Sequence, residues 1–343
     1  MDPTTSVNSG APWAFLNGTT SMMNPLVTLA NGSSGTYRIA NAGSLKDTGK
    51  FLPAMPHVNV VRGSASATDI FINADKYSTG APDPGPLPDL SLGCIGGSAG
   101  DDIYNMPWRC LAMVVIQGAI SDDELETIRT ALVARFGLPK SFDRVIALYG
   151  TSRVAGGGVL TRNKLWYQRP IFVGWPLIYN MGVDGLTMSQ LAANTSLLSG
   201  VYRSGVPVIY SFDDQINDLG GLGASTDPMQ IYRTMKSLRD YVRSLGSNVR
   251  VAFENTLPQD SSGIYTRSSA DINADRVTLN GYIRDYAADV DAVAIHPETT
   301  SLGIYPSSCA DTSLYLDKLH PTPFGYSNAA CYGTTAINAA AVA

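Results

Sequence analysis

Charged side chains are scarce in this 343-residue chain: Asp, Glu, Lys and Arg together make up 15% of it, and the formal net charge is -5. In an ordinary globular protein about a quarter of the residues are charged. The chain also has no long run of lysine or arginine, so it lacks the basic patch with which proteins bind nucleic acid. These absences argue against a nucleic-acid partner.

Long apolar runs are missing as well. The most apolar segments, such as residues 110–116, have the length of a strand and are far shorter than a membrane span. No charged region followed by an apolar one opens the chain, so no secretory signal is recognisable. A signal can be removed after export, and a protein that is assembled into a virus particle needs none. We therefore expect no membrane span and a location outside the cell or on a virion surface.

The chain has few cysteines, and their spacing does not suit a metal. They are Cys94, Cys110, Cys309 and Cys331, and no two of them form a Cys-x-x-Cys pair. We expect neither a metal nor another cofactor. Cys309 and Cys331 stand on either side of residues 317–320, and a disulfide between them would constrain that segment. Two buried thiols are the alternative.

Histidine is also scarce, with only His57, His296 and His320 available to a histidine-dependent mechanism. Asp317 precedes His320 by three residues, a spacing that can place the carboxylate and the imidazole on one side of a tight turn. On its own such a pair is more typical of a solvated loop, so a hydrolytic role requires a nucleophile elsewhere. His296 lacks an acid in this arrangement and is the weaker candidate for a general base.

What the chain does contain favours two globular domains. Hydrophobic residues make up 44%, and the 33 glycines and 20 prolines indicate many turns around a substantial core. In the first part of the chain, the alternating segments 58–62 and 69–73 and the apolar segment 110–117 predict strands. This part therefore begins as an all-β domain rather than an α/β domain.

A helix is expected to close this first domain. Ser121 and Glu124 form the capping box that begins many helices. Gly137, followed by a proline two residues later, ends the predicted helix. Its apolar face comprises Leu125, Ile128 and Leu132.

Residues 69–75, together with Met106-Pro107-Trp108 leading into residues 119–125, resemble the C-terminal part of concanavalin A-like (laminin G-like) jelly-roll domains. The resemblance covers roughly residues 10–137. It implies that residues 1–140 form a jelly-roll β-sandwich, a fold that binds glycans in some proteins and is only structural in others. Trp13 and Trp108 would then either stack on a sugar or fill the core of the sandwich.

From Arg144 onward, strands and helices alternate. Continuous apolar segments predict strands that are buried on both faces, at 145–149, 177–179, 206–212, 249–253 and 290–295. Helices are expected between them, at 187–198, from Asp227-Pro228 to Gly246, and at 273–288. This alternation predicts a three-layer α/β/α domain with a parallel sheet in residues 141–343.

Four polar turns in this second domain fall in a familiar order: residues 150–152, 182–187, 215–218 and 317–320. They resemble the four sequence blocks of the SGNH (GDSL-type) hydrolase and esterase superfamily, over roughly residues 142–335. The resemblance implies a flavodoxin-like fold and the activity of a serine esterase.

The resemblance also implies a role for each matching residue. Ser152 would be the nucleophile, Asp317 the orienting acid and His320 the general base. The backbone N–H groups of Ser152 and Gly185 and the side-chain amide of Asn217 would form the oxyanion hole. We expect the Ser152 hydroxyl to lie near hydrogen-bonding distance of the His320 ring.

The chain departs from the family pattern at two positions. Thr151 replaces the acidic residue that is common in the first block, and Gln215 replaces the usual glycine of the third block. We assign both to substrate binding, together with Trp166 and Trp175, for which core packing is the alternative.

A cluster of carboxylates in the third turn allows other interpretations. Asp213, Asp214 and Asp218 could form a metal site or the carboxylate pair of a glycosidase. Solvated loop ends and helix caps are the more common roles of such residues.

The sequence therefore predicts an esterase that removes acetyl or similar groups from an acylated polysaccharide or glycan by way of an acyl-serine intermediate. The alternatives are a non-catalytic carbohydrate-binding or virion structural protein with an inherited SGNH fold, and a lipase acting on long acyl chains. The sequence makes no prediction of the oligomeric state.

Overall fold

The computed structural model divides the chain into two compact units, Met1–Phe142 and Asp143–Ala343. In the first unit the structure describes residues 58, 114, 120–138 and 142 and the backbone of eight strands. In the second unit it describes residues 143–155, 176–260, 263–295, 309–322, 324–325 and 335–341.

The described strands of the first unit form two antiparallel sheets. The strands are β1 (Trp13–Asn17), β2 (Ser21–Leu29), β3 (Thr36–Asn41), β4 (Ser44–Phe51), β5 (Asn59–Gly63), β6 (Thr68–Ile72), β7 (Asp75–Ser78) and β8 (Asp89–Leu92). One sheet has the order β4-β3-β2-β1-β8 and the other the order β5-β6-β7. Strands were expected near β5 and β6, whereas the expected strand at 110–117 falls outside the described residues except for residue 114. The jelly roll itself stays a prediction.

Helix α1 (Asp122–Arg135) begins at the predicted capping box. The Ser121 hydroxyl accepts a hydrogen bond from the Glu124 backbone N–H at 3.2 Å, and the Glu124 carboxylate accepts one from the Ser121 N–H at 2.9 Å. The helix ends as expected before Gly137, whose φ of 62° lies in the left-handed region that glycine adopts readily.

The core of the second unit is a five-stranded parallel sheet with flanking helices, so the predicted parallel sheet is confirmed. Its strand order is β10-β9-β11-β12-β13. The strands are β9 (Arg144–Tyr149), β10 (Pro176–Asn180), β11 (Val208–Phe212), β12 (Val249–Glu254) and β13 (Ala292–Ala294).

The central strands are largely apolar because both faces of the sheet are covered. Every residue of β11 is buried, as is every residue of β9 except the first. The rings of Tyr149 and Phe212 stack with centroids 5.7 Å apart, and the Tyr149 hydroxyl donates to the backbone carbonyl of Leu197 at 2.7 Å. Buried aromatic rings therefore join neighbouring strands, and this hydroxyl finds a partner inside the core.

The described helices of this unit follow the strands in sequence. They are α2 (Ser152–Ala155), α3 (Met188–Ala193), α4 (Ser196–Ser199), α5 (Ile216–Leu219), α6 (Pro228–Ser244) and α7 (Ser269–Asp285), with a 3-10 turn at Ala287–Asp289. Residues 335–340 are helical as well. Asp227 caps α6 and Pro228 occupies its first turn, as expected. The single helix expected at 187–198 is wrong: Asn194 and Thr195 separate α3 from α4. In the parts of the chain that the structure describes, no helix is both long and apolar enough to cross a membrane.

The strand order creates a crevice at the carboxyl edge of the sheet. The chain passes from β9 outward to β10 and then returns to β11 on the other side of β9. Connections on the two sides of such a switch point lead away from each other, and open α/β sheets bind their ligands there. The turns that follow β9 and β11 leave the sheet at this point.

Two carboxyl groups lie at this edge and resist ionisation. Burial raises the pKa of Glu254 to about 7, although a hydrogen bond from the Ser211 hydroxyl opposes the shift. Burial, and then the nearby carboxylates of Glu254 and Asp214, raise the pKa of Asp213 well above its usual range. Protonation at this pair therefore stabilises the folded protein.

The stability of the protein should therefore increase as the pH falls from 8 to 5. A raised pKa means that the folded state binds the proton more tightly than the unfolded chain. For Glu254 this contribution is complete below its ordinary pKa of 4.5 and is lost as the pH rises through about 7. We expect Glu254→Gln to raise the melting temperature at pH 8 and to reduce its dependence on pH, measured by calorimetry.

The matched control is Asp285→Asn, because Asp285 is an exposed carboxylate that pairs with Arg284. This control should leave the pH dependence unchanged. A lower melting temperature of Glu254→Gln at pH 8 than of the unsubstituted protein would contradict the assigned cost of burying the charge.

Candidate active site

The first turn of the site leaves strand β9 through Gly150. A Cβ on Gly150 would lie 2.4 Å from Val154 Cγ2 and 2.5 Å from the backbone oxygen of Asp213, so only glycine fits there. Ser152 follows as the first residue of α2 and is half-buried. A buried strand thus ends in a tight turn that brings a serine hydroxyl to the carboxyl edge of the sheet.

The last turn of the site is closed by the carboxylate of Asp317. Its Oδ1 accepts hydrogen bonds from the backbone N–H groups of Leu319 at 3.1 Å and His320 at 2.7 Å. Lys318 has a φ of 65°, in the left-handed region. The Leu316 N–H donates to the His320 carbonyl at 2.9 Å. These bonds fold the segment so tightly that the carboxylate and the imidazole meet.

Three side chains form a continuous chain of hydrogen bonds. His320 Nδ1 lies 2.7 Å from Asp317 Oδ2, and His320 Nε2 lies 2.9 Å from Ser152 Oγ. The exposed fraction is 17% for the histidine side chain and 49% for that of the aspartate. The imidazole is therefore fixed between an acid and a hydroxyl and remains accessible from solvent.

The charge on Asp317 is favoured by its surroundings. Burial alone would raise the pKa of this carboxyl, but the hydrogen bonds from the backbone and ring of His320 and from the Leu319 N–H lower the pKa below its usual value. The ionised acid keeps a proton on Nδ1 of the neutral imidazole, which leaves Nε2 as an acceptor for the serine proton.

Asn217 lies in the turn that follows β11, on helix α5. Its amide is held at both ends: Oδ1 accepts from the Tyr265 hydroxyl at 2.9 Å, and Nδ2 donates to the Leu186 carbonyl at 3.0 Å. Gly220 allows the Tyr265 ring to approach, since a Cβ there would lie 2.2 Å from the ring. The orientation of the amide is thus determined, and Nδ2 retains a second hydrogen that it can donate.

The turn that contains Gly185 is tied to both neighbouring turns. The Val183 N–H donates to the Gly150 carbonyl at 3.1 Å, and the Met188 N–H donates to Asp218 Oδ2 at 2.9 Å. Gly185 itself is exposed, with a φ of 75°. Among the described residues, no backbone hydrogen bond uses its N–H. This group can therefore donate to a ligand.

The carboxylates of the third turn have structural partners. Asp218 is buried next to the start of α3, where it accepts from the Met188 N–H, and burial raises its pKa to about 6. Asp214 is buried and accepts hydrogen bonds from Thr151 and Arg153. Within the described residues, no group of three or more His, Cys, Asp or Glu side chains could hold a metal ion. The expected role as a helix cap therefore fits Asp218, whereas the buried Asp214 is neither a helix cap nor a solvated loop end.

Of the remaining predicted site residues, the structure describes Thr151, Gln215 and Cys309. Thr151 and Gln215 are fully buried, and Gln215 is bonded to the Thr256 hydroxyl rather than facing the solvent. A contact of either side chain with substrate stays a prediction that its placement does not favour. Cys309 is buried. Outside the described residues lie Trp166, Trp175, Cys331, His57 and His296, so the Cys309–Cys331 disulfide also stays a prediction.

Sequence reasoning missed two residues that support the site, Arg153 and Tyr265. Both are buried, and both bond to groups that are distant in the chain. Arg153 follows Ser152 directly, but no local pattern shows whether its side chain points inward or toward solvent.

Among the comparisons with known proteins, only the one with solved structures finds matches. No protein-family model matches the chain, and no curated protein matches it. A lipolytic protein of the G-D-S-L family from Veillonella parvula shares 16% identity, with a TM-score of 0.41 over 56% of this chain and 97% of that one. A GDSL-like lipase from Bacteroides thetaiotaomicron shares 14% identity, with a TM-score of 0.41 over 61% and 96%. At such values, a functional conclusion has to rest on the geometry of the site.

The reactivity of the Ser152 hydroxyl should depend on Asp317. Without the carboxylate, the imidazole no longer holds its proton on Nδ1, and Nε2 is not held as an acceptor. We expect Asp317→Asn to slow covalent labelling by a fluorophosphonate probe on the order of 10³- to 10⁴-fold. Mass spectrometry of the labelled peptide measures the rate and identifies the serine.

The control is Asp311→Asn, since Asp311 is an exposed acid that accepts hydrogen bonds within its own turn from Ser313. Its labelling rate should match that of the unsubstituted protein. Equal labelling of both variants would show that Asp317 does not activate the serine.

Proposed function

We propose that the second unit is a serine esterase of the SGNH type, which hydrolyses carboxylic esters through an acyl-serine intermediate. The observation that carries the proposal is the bonded series Ser152, His320 and Asp317, with 2.9 Å and 2.7 Å between successive partners. The serine lies 168 residues before the histidine. A nucleophile, a base and an orienting acid in this order are the requirements of acyl transfer.

The first step forms the acyl-enzyme. His320 Nε2 takes the proton of the Ser152 hydroxyl while Oγ attacks the carbonyl carbon of the ester. The Asp317 carboxylate stabilises the resulting imidazolium without taking its proton. The imidazolium then gives that proton to the oxygen of the departing alcohol, and the acyl group remains on Oγ.

The negative oxygen of the tetrahedral intermediate needs donors. The Gly185 N–H, the second hydrogen of Asn217 Nδ2 and the Ser152 N–H would supply them. The Leu186 carbonyl accepts a hydrogen bond from Asn217 Nδ2, and Leu186 directly follows Gly185. This bond therefore ties the Asn217 donor to the turn that carries the Gly185 donor. Loss of a single donor in such a site typically raises the barrier by about 3 kcal/mol.

The second step releases the acid. A water molecule takes the place of the alcohol, His320 removes its proton, and the hydroxide attacks the acyl carbon. The His320 side chain is partly exposed, so water can reach the imidazole. Collapse of the second intermediate returns the proton to Ser152 Oγ and restores the resting state.

We further propose that the substrate is a polysaccharide or glycan that carries acetyl or similar short acyl groups. The support is the resemblance of the first unit to jelly-roll domains, some of which bind glycans. The proposed substrate class is therefore inferred from the domain that accompanies the esterase in the same chain. A series of nitrophenyl esters from acetate to decanoate would distinguish it from a lipase, because a short-acyl pocket discriminates against long chains.

Ester hydrolysis by the purified protein should require Ser152. We expect Ser152→Ala to lose at least about 10³-fold in kcat for 4-nitrophenyl acetate, since the residual rate would come from the oxyanion donors alone. Acetate release from an O-acetylated polysaccharide, measured on the same two proteins, tests the proposed substrate class.

The matched control is Ser199→Ala, which removes an exposed hydroxyl at the end of α4. This variant should retain full activity. If the unsubstituted protein and Ser152→Ala hydrolyse the ester equally, the esterase is excluded and the non-catalytic alternative is favoured.

Tyr265 should affect the rate through Asn217. Without the Tyr265 hydroxyl the amide of Asn217 is held only by its bond to the Leu186 carbonyl, so its second hydrogen points at the oxyanion for less of the time. We expect Tyr265→Phe to lower kcat about tenfold, less than the loss of a whole donor, and to leave KM nearly unchanged.

Tyr202→Phe is the control, because the Tyr202 hydroxyl makes the same kind of bond to Asn248 Oδ1 at 3.0 Å, before the amino end of β12. Both variants lose one hydrogen bond, worth about 1 kcal/mol of stability. An unchanged kcat in Tyr265→Phe would refute the orienting role.

A further inference from the structure

Arg153 directly follows Ser152, and its side chain is turned into the protein with an exposed fraction of 2%. Its guanidinium donates to three backbone carbonyls: Nε to Leu319 at 3.0 Å, Nη1 to Leu257 at 2.9 Å and Nη2 to Pro258 at 2.8 Å. Nη1 also lies 3.2 Å from Asp214 Oδ1. One side chain therefore joins four points that belong to three different loops.

Asp214 holds the nucleophile turn on both sides. One carboxylate oxygen accepts from Arg153, the residue after the serine, and the other accepts from the hydroxyl of Thr151, the residue before it. Asp214 has a φ of 58°, which is unusual for a residue other than glycine. The contacts with Thr151 and Arg153 provide a reason for this conformation.

The other end of the guanidinium holds the turn of the base. Leu319, whose carbonyl accepts from Nε, is the residue before His320. The same turn is held a second time, because the Asp260 N–H donates to the Lys318 carbonyl at 2.9 Å. Residues 257–260 therefore bind both the guanidinium and the histidine turn.

We propose that Arg153, the residue after Ser152, is a positioning residue, which sets the distance between Ser152 Oγ and His320 Nε2 by binding the backbone of Leu319, the residue before His320. The proposal rests on the esterase function proposed above. Buried as it is, the guanidinium does not reach the substrate. It connects the segment that carries Ser152 with the segment that carries His320. The connection is a single planar group whose donors point in fixed directions.

The effect on the rate should be large because acyl transfer depends steeply on alignment. A displacement of about 1 Å between reacting groups can cost on the order of 100-fold in rate. Lysine keeps a positive charge next to Asp214, but its ammonium has three donors and no counterpart of Nε. The bond to the Leu319 carbonyl would be lost while the ion pair is kept.

The experiment compares Arg153→Lys with the unsubstituted enzyme in steady-state hydrolysis of 4-nitrophenyl acetate and in calorimetry. We expect kcat to fall on the order of 100-fold with KM nearly unchanged, because alignment is lost and binding is kept. Fluorophosphonate labelling of Ser152 should slow by the same factor, since it requires the same Ser152–His320 alignment.

Arg276→Lys is the matched control. Arg276 is also fully buried, and it donates to the Thr256 carbonyl at 3.3 Å and to Asn273 at 3.2 Å, but none of these residues adjoins the triad. A comparable fall in melting temperature with kcat unchanged is expected. This difference separates positioning from a general loss of stability.

Thr151→Val provides a second variant in case Arg153→Lys does not fold. It keeps the guanidinium and removes the other bond to Asp214, and we expect kcat to fall about tenfold with KM nearly unchanged. If Ser152-dependent hydrolysis is present but Arg153→Lys, or Thr151→Val in its place, retains full kcat, the positioning role is overturned and the esterase stands. If the unsubstituted protein shows no Ser152-dependent hydrolysis, the esterase itself is overturned, and the positioning role with it.

Discussion

The parallel pairing of β9 with β11 is the constraint on which the rest of the site depends. Tyr149 lies opposite Phe212, so the two strands end at the same level and their following turns begin side by side. The Asp213 N–H donates to the Tyr149 carbonyl at 2.8 Å, which extends the pairing one residue beyond the sheet. At this point the chains approach so closely that Gly150 has no room for a side chain. The turns that carry Ser152 and Asn217 therefore begin side by side as a consequence of strand register.

The parts of the fold that the sequence predicts well are those determined by burial. A strand covered on both faces is largely apolar, and the segments at β9, β11 and β12 show this, although Ser211 and Glu254 are buried polar residues within them. The start of α6 was predictable because Asp227 and Pro228 satisfy a local requirement of the helix backbone: the side chain of Asp227 accepts a hydrogen bond from a first-turn N–H, and Pro228 has no N–H to leave unpaired. The distance of 2.9 Å between Ser152 Oγ and His320 Nε2 also lies in the hydrogen-bonding range that was expected.

The parts that the sequence does not predict depend on contacts between distant residues. The end of α4 is one example, because the carbonyls of Leu197 and Leu198 accept hydrogen bonds from the tyrosine hydroxyls of β9 and β11. Arg153 and Tyr265 are others, with partners 166 and 48 residues away in the chain. Arginine and tyrosine occur both on the surface and in the core of proteins. Whether these two side chains are buried is determined only when the loops come together in the fold.

The buried ionisable groups at the carboxyl edge of the sheet cost folding free energy, and this cost indicates that they serve another purpose than stability. A buried ion pair such as Arg153–Asp214 contributes little net stability, because removing two charges from water offsets their attraction. Asp213 and Glu254 add carboxyl groups whose ionisation burial opposes. Apolar side chains would stabilise the same volume at least as well, but they cannot donate to three carbonyls in fixed directions. The polar interior therefore exchanges stability for the alignment of the turns above it, which is the exchange expected where a hydroxyl and an imidazole must be held within hydrogen-bonding distance.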